Sequence, residues 1–206
     1  MIYFLVTTCL IDNIPIRNEQ YTLCISRLKQ VIQNKGINNY KIIIIENNGN
    51  RNTFLNNLEC DVFYTCNNGL PTNSIGYKEL KDVTDCIERY SINDDDFVVK
   101  ITGRYILNDE SEFIDTVKNI DTIKYDCIIK YGCYRCPLSY KTKDCITGLI
   151  GMRAKFIKQI EFPNENECVE WKWATVTYLI DDDKIHIVDK LGIHICPGSI
   201  NSYFFV

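Results

Sequence analysis

The sequence predicts an α/β fold: a mainly parallel sheet flanked by helices, with a more irregular second half. Three observations predict it. Through the first half, short β-branched and aromatic runs alternate with stretches of helical periodicity. One run, the isoleucines of YKIIIIE, is apolar without alternation, which marks a strand covered on both faces, as in a parallel sheet. The repeated strand–helix–strand order requires crossovers, and these are right-handed and return the chain parallel.

The elements follow in order. Residues 2–11 are β-branched and aromatic and read as a buried first strand, punctuated by Pro15 and Asn18. Over residues 19–34, Leu23, Ile25, Leu28, Val31 and Ile32 recur at helical spacing, and Gly36 ends that helix. The isoleucine strand comes next, and Glu46-Asn47-Asn48-Gly49 leaves its C-terminal end. Residues 51–58 form a short helix and 61–66 a third strand. After the loop NNGLPTNS, residues 75–90 form an amphipathic helix with Ser74 as N-cap, and 97–101 a fourth strand. Beyond it come a helix over 110–120, a strand over 125–131, the loop GCYRCPLSYKTKDC and the apolar ITGLIGM. A helix over 153–160, an acidic loop with a helix in FPNENECVEWKWATVTYLI, and strands over 185–188 and 193–196 complete the chain. No repeat or low-complexity linker divides it, so residues 1–206 are expected to form a single domain.

Composition narrows the function classes. The 206 residues suffice for one sizeable core or at most two small domains. Hydrophobic residues make up 46% and charged residues 24%, as in an ordinary globular protein. A net charge of -4 gives no broad basic field, so no nucleic-acid partner is expected. Abundant Asn, Ile, Lys, Asp and Tyr fit an AT-rich genome. Eleven cysteines, an odd number, cannot form a complete intramolecular disulfide set. Cys9, Cys24, Cys60, Cys66, Cys86 and Cys127 lie in apolar or amphipathic runs and read as small buried hydrophobes in a reducing compartment. The start MIYFLVTTCLIDN has no basic leader or cleavage site, and no run is long enough to span a membrane, so a cytoplasmic location (host cytoplasm if the protein is viral) is expected.

In α/β folds, ligand chemistry gathers at the C-terminal ends of strands. There the sequence places Thr7 and Thr8, then Glu46, Asn47 and Asn48, then Thr102, Gly103 and Arg104, with Lys100 in the fourth strand. Carboxylate and amide groups suit a ribose or base edge, arginine suits a diphosphate, glycine admits close backbone approach, and Lys78 offers a second cation. The plainer reading keeps Arg104 on a structural carboxylate and Asn47-Asn48-Gly49 as a turn. Asp94, Asp95 and Asp96 resemble metal ligands but precede their strand, which puts them on the opposite edge; Asp181, Asp182 and Asp183 read as a turn. In NENECVEWKWA, Glu170 or Glu167 beside Trp171 and Trp173 suits a general base next to a sugar-stacking face, or else the acidic start of a helix with core tryptophans. Cys133 and Cys136 form a lone CxxC, short of a four-cysteine zinc site, and His194 reads as a strand residue. No nucleophile elbow, Walker loop or GxGxxG is present.

Four stretches together resemble small GT-A-fold glycosyltransferases of large DNA viruses and bacterial polysaccharide clusters: IIIIENNG, NSIGYKELKDV, VVKITGRY, and CITGLIGMRAKFIK followed by VEWKWA. The resemblance covers most of the chain. It implies a Rossmann-like nucleotide-sugar half over about residues 1–107 and an acceptor half over about 108–206. It also implies a UDP- or GDP-sugar donor and a hydroxyl acceptor on a glycan or glycoprotein. It places Thr7 and Thr8 in the nucleoside pocket and Glu46 or Asn47, with Asn48, at the base or ribose. Lys78 and Thr102-Gly103-Arg104 would face the diphosphate, and Glu170, with Trp171, the acceptor. The resemblance also implies an Asp-x-Asp for Mn²⁺ or Mg²⁺ after the fourth strand. Thr102-Gly103-Arg104 stands there instead, which leaves metal use open and offers Arg104 as the charge that stabilises the leaving diphosphate. Two other expectations remain: a nucleotidyltransferase making nucleotide-sugars, although TTCLIDNIPIRNEQ lacks the Gly-rich basic loop of that class, and a non-catalytic sugar-binding or assembly module.

Overall fold

The structure, a computed structural model, describes the whole chain except residues 12–13, 15, 50, 134–137 and 197–203. The chain runs β1 (Ile2–Thr8), α1 (Ile16–Lys35), β2 (Tyr40–Glu46), a 3₁₀ turn (Phe54–Leu58), β3 (Asp61–Tyr64), α2 (Ile75–Arg89), β4 (Phe97–Thr102) and β5 (Ile106–Leu107). It continues through α3 (Glu112–Lys118), α4 (Ile120–Ile123), β6 (Cys127–Ile129), β7 (Leu149–Arg153), α5 (Ala154–Ile157) and α6 (Val169–Val176). β8 (Ile185–Ile187), β9 (Ile193–Ile195) and β10 (Phe204–Phe205) close it.

Seven strands form the main sheet in the order β3-β2-β1-β4-β7-β6-β8. β3, β2, β1 and β4 are mutually parallel, with Ile2 opposite both Tyr40 and Phe97. β7 runs antiparallel to β4 and to β6, and β8 lies parallel to β6. The chain steps outward from β1 to β3, then crosses back to β4. That reversal puts a topological switch between β1 and β4, the place at which α/β sheets seat their ligands. A small antiparallel sheet, β10-β9-β5, sits apart from the main sheet.

Strand alternation separates two apolar layers. Phe4, Val6, Ile42, Ile44, Val99 and Ile101 pack with α1 and α3 on one face. Leu5, Ile43, Ile45 and Val98 pack with α2, α5 and α6 on the other. Alternation therefore turns Lys100, two residues after Val98, toward the α2 and α6 layer. Burial on both faces of the sheet is what the isoleucine run required.

Several boundaries differ from the sequence reading. β1 stops at Thr8 because the next backbone donor in line, Leu10 N, bonds the Glu46 carboxylate. Residues 51–58 give only a 3₁₀ turn, opened by a Thr53–Asn56 capping box and ended by Glu59 at φ 52°. The helix over 110–120 begins after the Ser111 cap and breaks at Asn119. Ser74 caps α2 by accepting from Tyr77 N at 3.1 Å, and Gly36, at φ +65°, ends α1. β5 and β10, two residues each, are too short to show a period. Cys24, Cys86 and Cys127 are buried, whereas Cys66 is exposed and Cys9 and Cys60 are half-buried. Cys136 lies outside the described residues. No helix among the described residues is long and apolar enough to cross a membrane.

The Asp94–96 run holds the edge away from the switch. Asp96 takes the Met1 ammonium at 2.8 Å, Asp94 pairs with Lys158 at 2.6 Å and Asp95 with Lys155 at 3.7 Å. Asp181 and Asp182 pair likewise with Lys184 and Lys141 at a turn.

Candidate active site

The ends of β1 and β4 meet at Gly103. Its N–H donates to the Thr7 carbonyl at 2.9 Å. A Cβ at Gly103 would lie 2.8 Å from Thr8 Cγ2, 2.9 Å from the Thr7 carbonyl oxygen and 3.0 Å from Tyr21 Cδ1. The glycine thus lets the β4 turn lie flat on β1. The turn closes with Tyr105 N donating to the Thr102 carbonyl at 2.9 Å, and half-buried Arg104 projects from it. Tyr21 braces the underside: its hydroxyl bonds Cys9 N and O at 3.0 Å, and burial pushes its pKa up to about 12.

Beside this turn lies a carboxylate the sequence reading did not select, Glu79 on α2. Its Oε1 receives the Lys100 ammonium at 2.7 Å, the Thr7 hydroxyl at 2.7 Å and the Thr102 hydroxyl at 3.4 Å. Lys100 is 1% exposed and also donates to Thr102 Oγ1 at 3.1 Å and the Thr147 carbonyl at 2.8 Å. Burial pushes the Glu79 carboxyl up, but the Lys100 charge and the hydrogen bonds from Lys100, Thr7 and Thr102 outweigh it and hold it below the ordinary range. A signal for Glu79 existed. A lysine inside FVVKIT, a strand buried on both faces, requires a carboxylate partner on the adjacent layer.

Glu46 is fully buried. Its oxygens accept from Leu10 N at 2.9 and 3.1 Å, Thr8 Oγ1 at 2.8 Å and Asn48 N at 3.1 Å. It therefore shapes the two loops that leave β1 and β2. Asn48 ties those loops together through its side-chain amide on the Leu10 carbonyl. Asn47 donates to Asp82 Oδ2 at 2.8 Å, while its own Oδ1 is buried with no hydrogen-bond partner among the described residues. Burial raises Asp82 to about 6, against hydrogen bonds from Thr65, Asn67 and Asn47 that lower it.

A cavity of about 230 Å³ opens between these loops, lined by Leu10, Ile14, Asn18, Arg51, Thr53 and Phe54 among others. Arg51 bonds the Leu10 carbonyl at 2.7 Å and stands 3.9 Å from Glu46. Arg51 and Phe54 were also passed over in the sequence, where they read as a short helix.

The second half of the chain enters through α6, which packs on the start of α2. Glu170 leaves its first turn half-buried, with Oε1 3.5 Å from the Thr147 hydroxyl. Thr147 thereby joins Glu170 to Lys100. Trp171 is 46% exposed, whereas Trp173 belongs to the core. Glu167 accepts from Asn164 N at 3.0 Å and pairs with Lys172 at 2.9 Å, which together hold it below the ordinary carboxylate range. Lys78 is half-buried and donates to the Asn68 carbonyl at 2.7 Å. Thus Thr7 and Thr8 at the end of β1 lie against the Thr102-Gly103-Arg104 turn after β4; Glu46, Asn47 and Asn48 frame the neighbouring loops; Glu170 reaches the same edge through Thr147, and Glu167 is held in its own turn.

A divalent cation at the end of β4 would require carboxylate or water oxygens with spare lone pairs. The donors there are a threonine hydroxyl and a glutamate whose Oε1 is already bonded by Lys100. No cluster of three or more His, Cys, Asp or Glu among the described residues is arranged to hold a metal. The donor set therefore does not fit Mn²⁺ or Mg²⁺.

No family model matches the sequence. No curated protein matches it either. Solved structures match at the level of fold. TarS of S. aureus superposes with a TM-score of 0.58 at 16% identity, over 93% of this chain and 36% of that one. A Bacillus anthracis protein described as a glucose-1-phosphate thymidylyltransferase, in complex with a sucrose, gives 0.55 at 13% identity, over 91% and 86%. The mannosyltransferase PcManGT of Pyrobaculum calidifontis, in complex with GDP-Man and Mn²⁺, gives 0.52 at 7% identity, over 91% and 56%. This chain spans about a third of TarS and just over half of the mannosyltransferase. The fold is GT-A-like.

Proposed function

We propose that this protein is a glycosyltransferase that moves a sugar from a UDP- or GDP-sugar to a hydroxyl of a glycan or glycoprotein. One observation carries the reading: Thr147 and Gly148 join the Glu170 carboxylate to the turn after β4, so groups from the two halves of a GT-A-like fold meet at one edge of the sheet. In this reading residues 1–107 hold the donor and 108–206 the acceptor. Thr7 and Thr8 wall the nucleoside site, which continues into the cavity under Arg51 and Phe54. Glu46 and Asn48 shape its loops, and the unpartnered Asn47 Oδ1 meets a base or ribose N–H or O–H. Arg104 and Lys78 face the diphosphate, where positive charge stabilises the leaving group.

The chemistry then follows from position. The acceptor oxygen attacks the anomeric carbon as the bond from that carbon to the diphosphate oxygen breaks. The electron pair stays on the diphosphate, beside Arg104. Glu170 takes the acceptor proton, and exposed Trp171 offers its indole face to the acceptor sugar. Glu167, spent on Lys172, supports the helix that carries Glu170.

A nucleotidyltransferase is the second reading, favoured by the thymidylyltransferase likeness over most of both chains. A thermal-shift screen in Mn²⁺ buffer separates the two. The glycosyltransferase reading expects UDP- or GDP-sugars to raise Tm, with the shift lost in Arg104→Ala. A shift only with a nucleoside triphosphate and a sugar 1-phosphate, with pyrophosphate released on mixing them, selects the second reading. No shift with any of them supports a non-catalytic module.

A further inference from the structure

The misfit of the β4 turn to a metal has a counterpart in what fills it. An oxygen site for a divalent cation gathers carboxylate, hydroxyl and carbonyl oxygens from separate segments at roughly 2.0–2.6 Å. The Lys100 ammonium gathers the same three kinds: Glu79 Oε1 at 2.7 Å, Thr102 Oγ1 at 3.1 Å and the Thr147 carbonyl at 2.8 Å. They come from α2, the end of β4 and the segment before β7. These are hydrogen-bond lengths, and an ammonium has three protons for three acceptors. The pair is neutral overall, so it adds no net charge for a diphosphate. It adds position, because one buried cation fixes the turn that carries Arg104.

We propose that Lys100, seated on Glu79, is a tethered replacement for the divalent cation, so that donor binding requires no free metal ion. The proposal rests on the donor-site reading above and deepens it. Lys100 and Glu79 act here as positioning residues, through Thr102 and the arginine turn.

The test is calorimetric titration of the intact protein with UDP and with GDP, in EDTA and in Mn²⁺. Wild type is expected to bind one of them with Kd values within about twofold of each other in the two buffers. Lys100→Ala leaves the three oxygens without their cation; its binding should weaken about tenfold or more in EDTA and recover in Mn²⁺, a rescue that a purely structural lysine would not show. Because a lone buried Glu79 charge threatens folding, the double variant Glu79→Gln/Lys100→Met removes both charges together. It should fold, by circular dichroism, and bind weakly in both buffers. Wild-type binding that appears only with Mn²⁺ overturns the proposal and leaves the donor site standing, and so does a folded double variant with wild-type affinity. No binding of either nucleotide by wild type, in either buffer, removes the donor-site reading and this proposal with it.

Discussion

A Cβ on Gly76 would lie 2.6 Å from both Cβ and Cγ1 of Val169, so α2 and α6 pack backbone to side chain at that point. Glu170 is the next residue on α6, and Glu79 lies one helical turn beyond Gly76 on α2. The contact therefore sets the distance between the two halves of the candidate site. Gly76→Ala gains helix propensity of about 1 kcal/mol, but a stiff β-branched neighbour cannot yield, and overpacking costs roughly 1–3 kcal/mol. We expect a net loss of stability in urea denaturation and a larger loss of sugar transfer than of donor binding. Adding Val169→Ala should restore both.

Glu170→Gln should lower kcat by about 10²–10⁴ while leaving nucleotide affinity unchanged, because it removes a proton acceptor and no donor contact. Glu167→Gln should change kcat by less than about tenfold, since a carboxylate held below the ordinary range by Asn164 N and Lys172 is a poor base. Steady-state kinetics on both variants would reverse the assignment if Glu167→Gln proved the more damaging.

Gly103→Ala drives a methyl into Thr8 Cγ2 and, at 2.9 Å, into the Thr7 carbonyl oxygen, which is backbone and cannot swing aside. The β4 turn must lift. Nucleotide affinity should fall about tenfold or more, with a stability cost of about 1–3 kcal/mol, measured by titration and thermal melting.

Asp82 predicts a pH dependence. Its carboxyl sits near 6 in the fold against an ordinary 3.8, so between those values the folded chain holds the proton that the unfolded chain has released. The contribution of Asp82 to stability is then greatest below the ordinary value and falls as pH rises through about 6, by about 3 kcal/mol at most. Asp82→Asn should abolish that fall, because an amide does not titrate, and the buried Asn47 amide can turn to offer Oδ1 to the new donor. Urea midpoints from pH 5 to 8 should fall less with rising pH in the variant than in wild type; an unchanged slope would remove Asp82 as the source.

The frame of this fold was legible because its signals are local. Four β-branched isoleucines in so short a run mark a strand buried on both faces, and Ser74 caps its helix within three residues. Thr7, Thr8 and Thr102-Gly103-Arg104 were placed by strand order alone. Glu79 was not, since on a helical pattern it resembles any solvated acid, and only its pairing with Lys100 across layers reveals it. Glu46 had the opposite fault. Its residue type fits a ligand contact, but the backbone donors that surround it, Leu10 N and Asn48 N, come from the loops after β1 and β2, whose paths no periodicity encodes. The reversal of β7 escaped notice for a similar reason, because direction is set by pairing with β4 and leaves no trace in the run LIGMR.

That reversal has an evolutionary consequence. β6 and β7 pair antiparallel, with Cys127 opposite Met152, so the segment that joins them starts and ends at the same edge of the sheet, the one where β4 ends. A lineage can lengthen, shorten or replace the part between Gly132 and Asp144, whose backbones bond at 3.0 Å, while Thr147 keeps its carbonyl on Lys100. On the proposed reading, in which residues 108–206 take the acceptor, selection for new acceptors would fall on this stretch, and related chains should differ most there and least in β1 and β4.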